Sequence, residues 1–103
     1  MKYLCFFESK PEDIDKILEK WYKREEERKK DPEVDARYTK VLFPPHAFGP
    51  GLSKGFSIDE ASPEQIVNTT MFWYPEMKME FVPIYDLAKM SEVYLKSKEK
   101  KEV

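Results

Sequence analysis

Apolar and polar positions first organise the chain over Lys2–Glu8, KYLCFFE, where Tyr3, Cys5 and Phe7 fall on one side and Leu4 and Phe6 on the other. A period of two is strand geometry. Apolar residues on both sides predict a strand central in its sheet and covered twice. The period then lengthens. Ile14, Ile17, Leu18 and Trp21 fall at i, i+3, i+4 and i+7, one stripe of an amphipathic helix, and this predicts a buried Trp21. Ser9-Lys10-Pro11-Glu12 precedes the stripe as a capping-box pattern with Pro11 in the first turn. Past Tyr22 the stripe gives way to KREEERKK. Its Glu19–Lys23, Glu25–Lys29 and Glu26–Lys30 pairs at i,i+4 read as a solvated helix end, and Asp31-Pro32 stops it.

Lys40–Ala61 places a β-hairpin in mid-chain. Arg37–Phe43 reads as the second strand and Lys54–Asp59 as the third, with Pro44-Pro45 and Gly49-Pro50-Gly51 in the connection between them. Along the third strand Phe56 and Ile58 share one face, and Gly55, Ser57 and Asp59 the other. Ser62-Pro63-Glu64-Gln65 is a second capping box. Ile66, Val67, Thr70, Met71, Trp73 and Tyr74 then cover a wide helical face that Pro75 ends. Lys78–Tyr85 reads as the fourth strand. Pro83 donates no ladder hydrogen bond, so the strand lies at an edge or carries a bulge. Asp86 can cap a short last helix with Leu87, Met90, Tyr94 and Leu95 packed. One domain then spans 1–95, and Lys96–Val103 is a charged tail expected to fray.

Strand, helix, strand, strand, helix, strand predicts an α+β fold, a ferredoxin-like βαββαβ plait. Its four-stranded antiparallel sheet has the order 4-1-3-2, with both helices on one face. The other face keeps large apolar side chains, and an uncovered patch of that kind marks an interface. Two such sheets packed face to face make a dimeric α/β barrel with a pocket between them. With Phe56 and Ile58 turned to the helices, Ser57 and Asp59 look into that space together with Tyr3, Cys5 and Phe7.

Composition narrows the function classes. Charged residues make up 37% of the 103, with a net charge of −2, which points to no polyanionic partner. The aromatic–glycine-rich signature of an RNA-recognition sheet is missing from the third strand, so nucleic acid is not an expected partner. Aromatics reach 15% and must bury surface somewhere. Cys5 is the single cysteine, which excludes an internal disulfide and a cysteine-based zinc site and reads as an inert buried thiol. No apolar run approaches the ~20 residues that span a bilayer, and Met1 onward lacks a signal-peptide pattern. The expectation is a cytoplasmic protein with no membrane partner. Gln65 and Asn68 are the single glutamine and asparagine beside abundant Glu and Lys, a bias found in hyperthermophiles.

Candidate chemistry is sparse. His46, the only histidine, could act as a general base or pocket-lining polar group, against the plainer reading of a loop histidine packed on prolines. No ligand cluster accompanies it, so no metal or cofactor is expected. Asp59 is the second candidate base, because a carboxylate in a dry cavity holds its proton more tightly; the plainer reading is a solvated or capping strand end. Glu80 is a weaker version of the same idea. Gly49-Pro50-Gly51 is a turn without phosphate-loop context.

Met1-Lys2-Tyr3-Leu4, Phe43-Pro44-Pro45-His46, Gly49-Pro50-Gly51, Lys54-Gly55-Phe56-Ser57-Ile58, Glu60-Ala61 and Phe81-Val82-Pro83-Ile84, in that order, resemble a family of short prokaryotic proteins of unknown function, archaeal in its closest members, with a ferredoxin-like fold. The resemblance implies the dimeric α/β-barrel superfamily, which includes small monooxygenases, stress-responsive proteins, haem-handling enzymes and ligand-sensing domains. It transfers no catalytic residue. The leading expectation is a homodimer binding a small apolar molecule between its sheets, with Ser57, Tyr3 and Phe7 as ligand contacts. The alternatives are a cofactor-free monooxygenase- or isomerase-like enzyme using His46 or Asp59, and a purely structural or regulatory dimerisation module.

Overall fold

The computed structural model describes residues 1–101; Glu102 and Val103, the last of the expected tail, lie outside them. Four strands pair antiparallel in the order β2-β3-β1-β4. They are β1 Lys2–Ser9, β2 Lys40–Ala47, β3 Lys54–Glu60 and β4 Met77–Pro83. The helices among the described residues are α1 Ile14–Lys30, α2 Pro63–Trp73 and α3 Leu87–Lys101, with 3-10 segments at Pro11–Asp13 and Pro32–Arg37. The fold class is thus α+β with an open four-stranded sheet. The strand with two apolar faces is central, and Pro83 sits on an edge, as its missing N–H requires.

β2 departs from its expected range. It runs through Pro44 and Pro45 instead of ending before them, and the connection to β3 is confined to 48–53. Prolines are tolerated there because β2 is the other edge. Its register slips by one residue between Val41 and Phe43 and again between Phe43 and His46, so two bulges bend the strand.

The two expected capping boxes part company. At α2 both halves form: the Gln65 N–H donates to Ser62 Oγ at 3.2 Å and the Ser62 N–H to Gln65 Oε1 at 2.9 Å. At α1 neither forms. Ser9 is the last residue of β1, its hydroxyl lacks a partner, and Pro11–Asp13 enters the helix as a 3-10 turn. The solvated end of α1 pairs differently too. Arg28 bridges Glu25 and Asp35 rather than following the expected i,i+4 pattern.

α2 anchors the layer. Gln65 Nε2 donates to the Ala36 carbonyl and Asn68 Nδ2 to the Arg37 carbonyl, each at 3.0 Å, while Thr69 Oγ1 accepts from the Thr39 N–H at 3.0 Å. Three side chains on one helix therefore hold the segment leading into β2. α1 is tied to the far end of α2. Lys20 Nζ donates to the carbonyls of Phe72 and Tyr74 and pairs with Glu76, placing a cation where the helix dipole is negative. The Lys20 hydrogen bond holds the Glu76 carboxyl below its usual range. Arg24 extends the α1 stripe, its guanidinium 4.2 Å from the centroid of the Tyr38 ring.

The expected helical core needs correction. Ile17 is the buried residue of α1, whereas Trp21 is 44% exposed. On α2 the buried residues are Thr69 and Trp73, and Val67, Met71 and Tyr74 lie open. α3 differs most. Asp86 Oδ1 does cap it, accepting from the Lys89 N–H at 3.1 Å. The helix then continues through Lys96 to Lys101, where a frayed tail was expected. Its apolar residues are unpacked, with Leu87 80% and Tyr94 67% exposed, and it makes no more than marginal contact with any other element. The chain measures 60 × 33 × 20 Å with a radius of gyration of 17.6 Å, against about 13 Å for a compact fold of this length.

Candidate functional site

Register decides which residues share a face. β1 pairs Cys5 with Ser57 and Tyr3 with Asp59, and it pairs Phe6 with Phe56 and Leu4 with Ile58. Directly paired residues project to the same side. One face therefore carries Tyr3, Cys5, Phe7, Gly55, Ser57 and Asp59, and the other carries Leu4, Phe6, Phe56 and Ile58.

The first of these faces meets the helices. Asp59 is 3% exposed and Cys5 is fully buried. Thr39, which receives α2 through Thr69, donates its hydroxyl to Asp59 Oδ2 at 2.6 Å, and the Ser57 hydroxyl donates to Oδ1 at 2.7 Å. This reverses the expected orientation. Ser57, Asp59, Tyr3 and Phe7 turn toward the helix layer and do not line the open face. The physical reason is that the polar side chains bring their own partners inside. A carboxylate accepting two short hydroxyl bonds needs less solvent, and Gly55 leaves room for the Phe7 ring above it. Burial together with the nearby Asp59 charge pushes the Cys5 thiol up to about 12.

The open face is aromatic. Phe43 stacks on His46 with centroids 4.6 Å apart and planes at 15°, and on Phe56 at 5.8 Å and 19°. Phe48 lies parallel to Phe56 at 5.5 Å and tilts against Phe6 at 6.4 Å. The bulges create this cluster, since the slip between Phe43 and His46 brings both side chains beside β3 on one side. His46 Nδ1 lies 2.7 Å from the Pro44 carbonyl oxygen. A carbonyl only accepts, so Nδ1 bears a proton, and Nε2 is the ring nitrogen left to face a ligand.

At one end of this face a cleft of about 190 Å³ opens between Phe6, Phe48, Glu8, Lys54, Lys78 and Glu80. Glu80 is thus on the open side, in an exposed position beside two lysines. Of the two candidate bases, His46 belongs to the aromatic face and Asp59 to the core on the far side of the sheet, so they cannot act on one substrate. No group of three or more His, Cys, Asp or Glu is placed to hold a metal among the described residues, and no helix there is long and apolar enough to cross a membrane. Sequence reasoning missed Phe6, Phe43, Phe48 and Phe56 as site residues. The signal that could have found Phe6 and Phe56 was the alternation of β1 and β3 itself. No family model, curated protein or solved structure matches the chain.

Proposed function

We propose that the chain works as a homodimer closed through its aromatic sheet face, in the manner of a dimeric α/β barrel built from two ferredoxin-like plaits. In this reading the space between the sheets holds a small, mostly apolar molecule. The observation that carries the reading is the set of stacked rings, Phe43, Phe48, Phe56 and His46, on a face that no element among the described residues covers. Volume supports the need for a partner. A cleft of about 190 Å³ on one chain falls short of the ~300–1,000 Å³ of pockets that enclose a drug-sized ligand, and a facing sheet supplies the missing wall. Flat rings offer a ligand stacking surface, and His46 Nε2 offers one hydrogen-bond acceptor to fix its orientation. The same atom is the base available to a cofactor-free proton transfer on this face.

Light scattering and titration with the fluorescent naphthalene sulfonate dye ANS test the reading. The native chain is expected to be a dimer at micromolar concentration and to bind one dye per sheet pair. Phe56→Asp should be a folded monomer, and His46→Ala a dimer with weakened dye binding. A native monomer, or a Phe56→Asp chain that dimerises as tightly as native, overturns it.

A further inference from the structure

We infer that α3 is an exchanged arm, which leaves its own domain and packs its apolar stripe on the β2 edge of a second copy of this chain. The inference rests on the sheet-face dimer proposed above and adds the element that latches it.

Leu87, Met90, Tyr94 and Leu95 line a shallow groove along α3, and no other element among the described residues covers them. A 15-residue helix is short to hold in water on propensity alone, and tertiary packing supplies most of the stability of such helices. The receiving surface is on the same chain. Leu42 and Leu52 stand exposed along β2 and the loop that follows it. Direction favours a second copy over a foreign partner. In a face-to-face pair whose two-fold axis runs along the strands, the order β2-β3-β1-β4 sets β4 of one copy across from β2 of the other. α3 departs from β4 and so starts beside the partner's β2 edge. Area agrees. Six such side chains at roughly 100 Å² each bring about 600 Å² per protomer, which with the sheet-face contact reaches the ~800 Å² per partner of a standard stable interface.

Crosslinking of the full chain tests the arm. One preparation carries Tyr94→Cys and another Leu52→Cys, both at exposed positions; the two are mixed, equilibrated and oxidised. A covalent heterodimer by mass is expected, with Cys5 too buried to compete. In a separate measurement Tyr94→Asp/Leu95→Asp should weaken dimerisation at least roughly tenfold, about 1.4 kcal/mol, by sedimentation equilibrium. A dimer without the crosslink and with an unchanged dissociation constant in the Asp variant overturns the arm and leaves the sheet-face dimer standing. A native chain that stays monomeric overturns both. A monomer that cosediments with vesicles of anionic phospholipid overturns the arm in favour of a lipid-surface helix.

Discussion

Gly55→Ala probes the close packing of β1, β3 and β2 on the buried side of the sheet. Gly55 is buried in β3 between Phe7 of β1 and Ala47 of β2. A methyl group there lands inside contact distance of the His46 carbonyl oxygen and the Phe7 ring, with Phe7 Cε2 at 2.8 Å. The ring can rotate away at a cost, but the carbonyl belongs to the β2 backbone and moves only with its strand. Overpacking of this kind costs about 1–3 kcal/mol. Stiffening of the unfolded chain on replacing glycine returns about 0.4–1 kcal/mol. The backbone clash pushes the first figure toward its upper end, so a net loss of about 2 kcal/mol is expected. In urea that moves the midpoint by about 1 M for a small domain, read by tryptophan fluorescence at matched protein concentration. Gly55→Ala/Phe7→Leu should recover the ring's share of the loss and leave the carbonyl's. A Gly55→Ala chain as stable as native would falsify the reasoning. It would mean that the Phe7 ring and the β2 backbone do not close over Gly55.

The two tryptophans separate in the same assay. Trp73→Ala, which empties a buried position, should cost about 3–5 kcal/mol, and Trp21→Ala at its exposed position less than about 1 kcal/mol; equal losses, or the opposite ranking, would put α1 in the wrong phase. Cys5 supplies a test of burial and pH together. With its thiol pushed up to about 12, the native chain at pH 8 holds roughly a thousandfold less thiolate than a free cysteine with the ordinary value of 9.0, so iodoacetamide should label it only after unfolding. Because the folded thiol keeps its proton where the unfolded one loses it, its contribution to stability is whole below about pH 9 and is lost as the pH rises toward 12. Rapid labelling of the folded chain at pH 8 would refute the buried position.

Strand order was legible because position-specific chemistry encodes it. A strand apolar on both sides belongs in the middle, and Pro83 belongs at an edge. Ser62 and Gln65 announced α2 for a similar reason, since a capping box is a local hydrogen-bond pattern that needs no tertiary context. The facing of β3 was not legible. Phe56 and Ile58 look like core, and Ser57 and Asp59 like surface, until Thr39 arrives from a distant segment to satisfy the carboxylate. The aromatic platform was hidden behind that inversion and behind the bulges of β2. Pro44-Pro45 reads as a turn in one dimension and as a kinked edge strand in three. Trp21 fell outside the core because α1 continues its packed stripe through Arg24, whose cationic head rests on Tyr38 and Phe72. Apolarity scales do not see such a contact. The stripe on α3 was expected to be packed and lies open instead, because periodicity shows that a helix face is apolar and not that anything covers it.

Both outer strands carry proline, Pro44 and Pro45 on β2 and Pro83 on β4. A strand carrying proline has fewer N–H groups to offer, so these edges are poorer templates for a further strand that would repeat the addition without end. A molecule that displays an aromatic sheet face has strong reason to stick to itself, and such chains are prone to fibrils when their edges are free. Here growth along the hydrogen-bonding direction is interrupted on both sides, while the aromatic face remains open. In the dimer proposed above, these edges would favour a closed pair over an open-ended polymer.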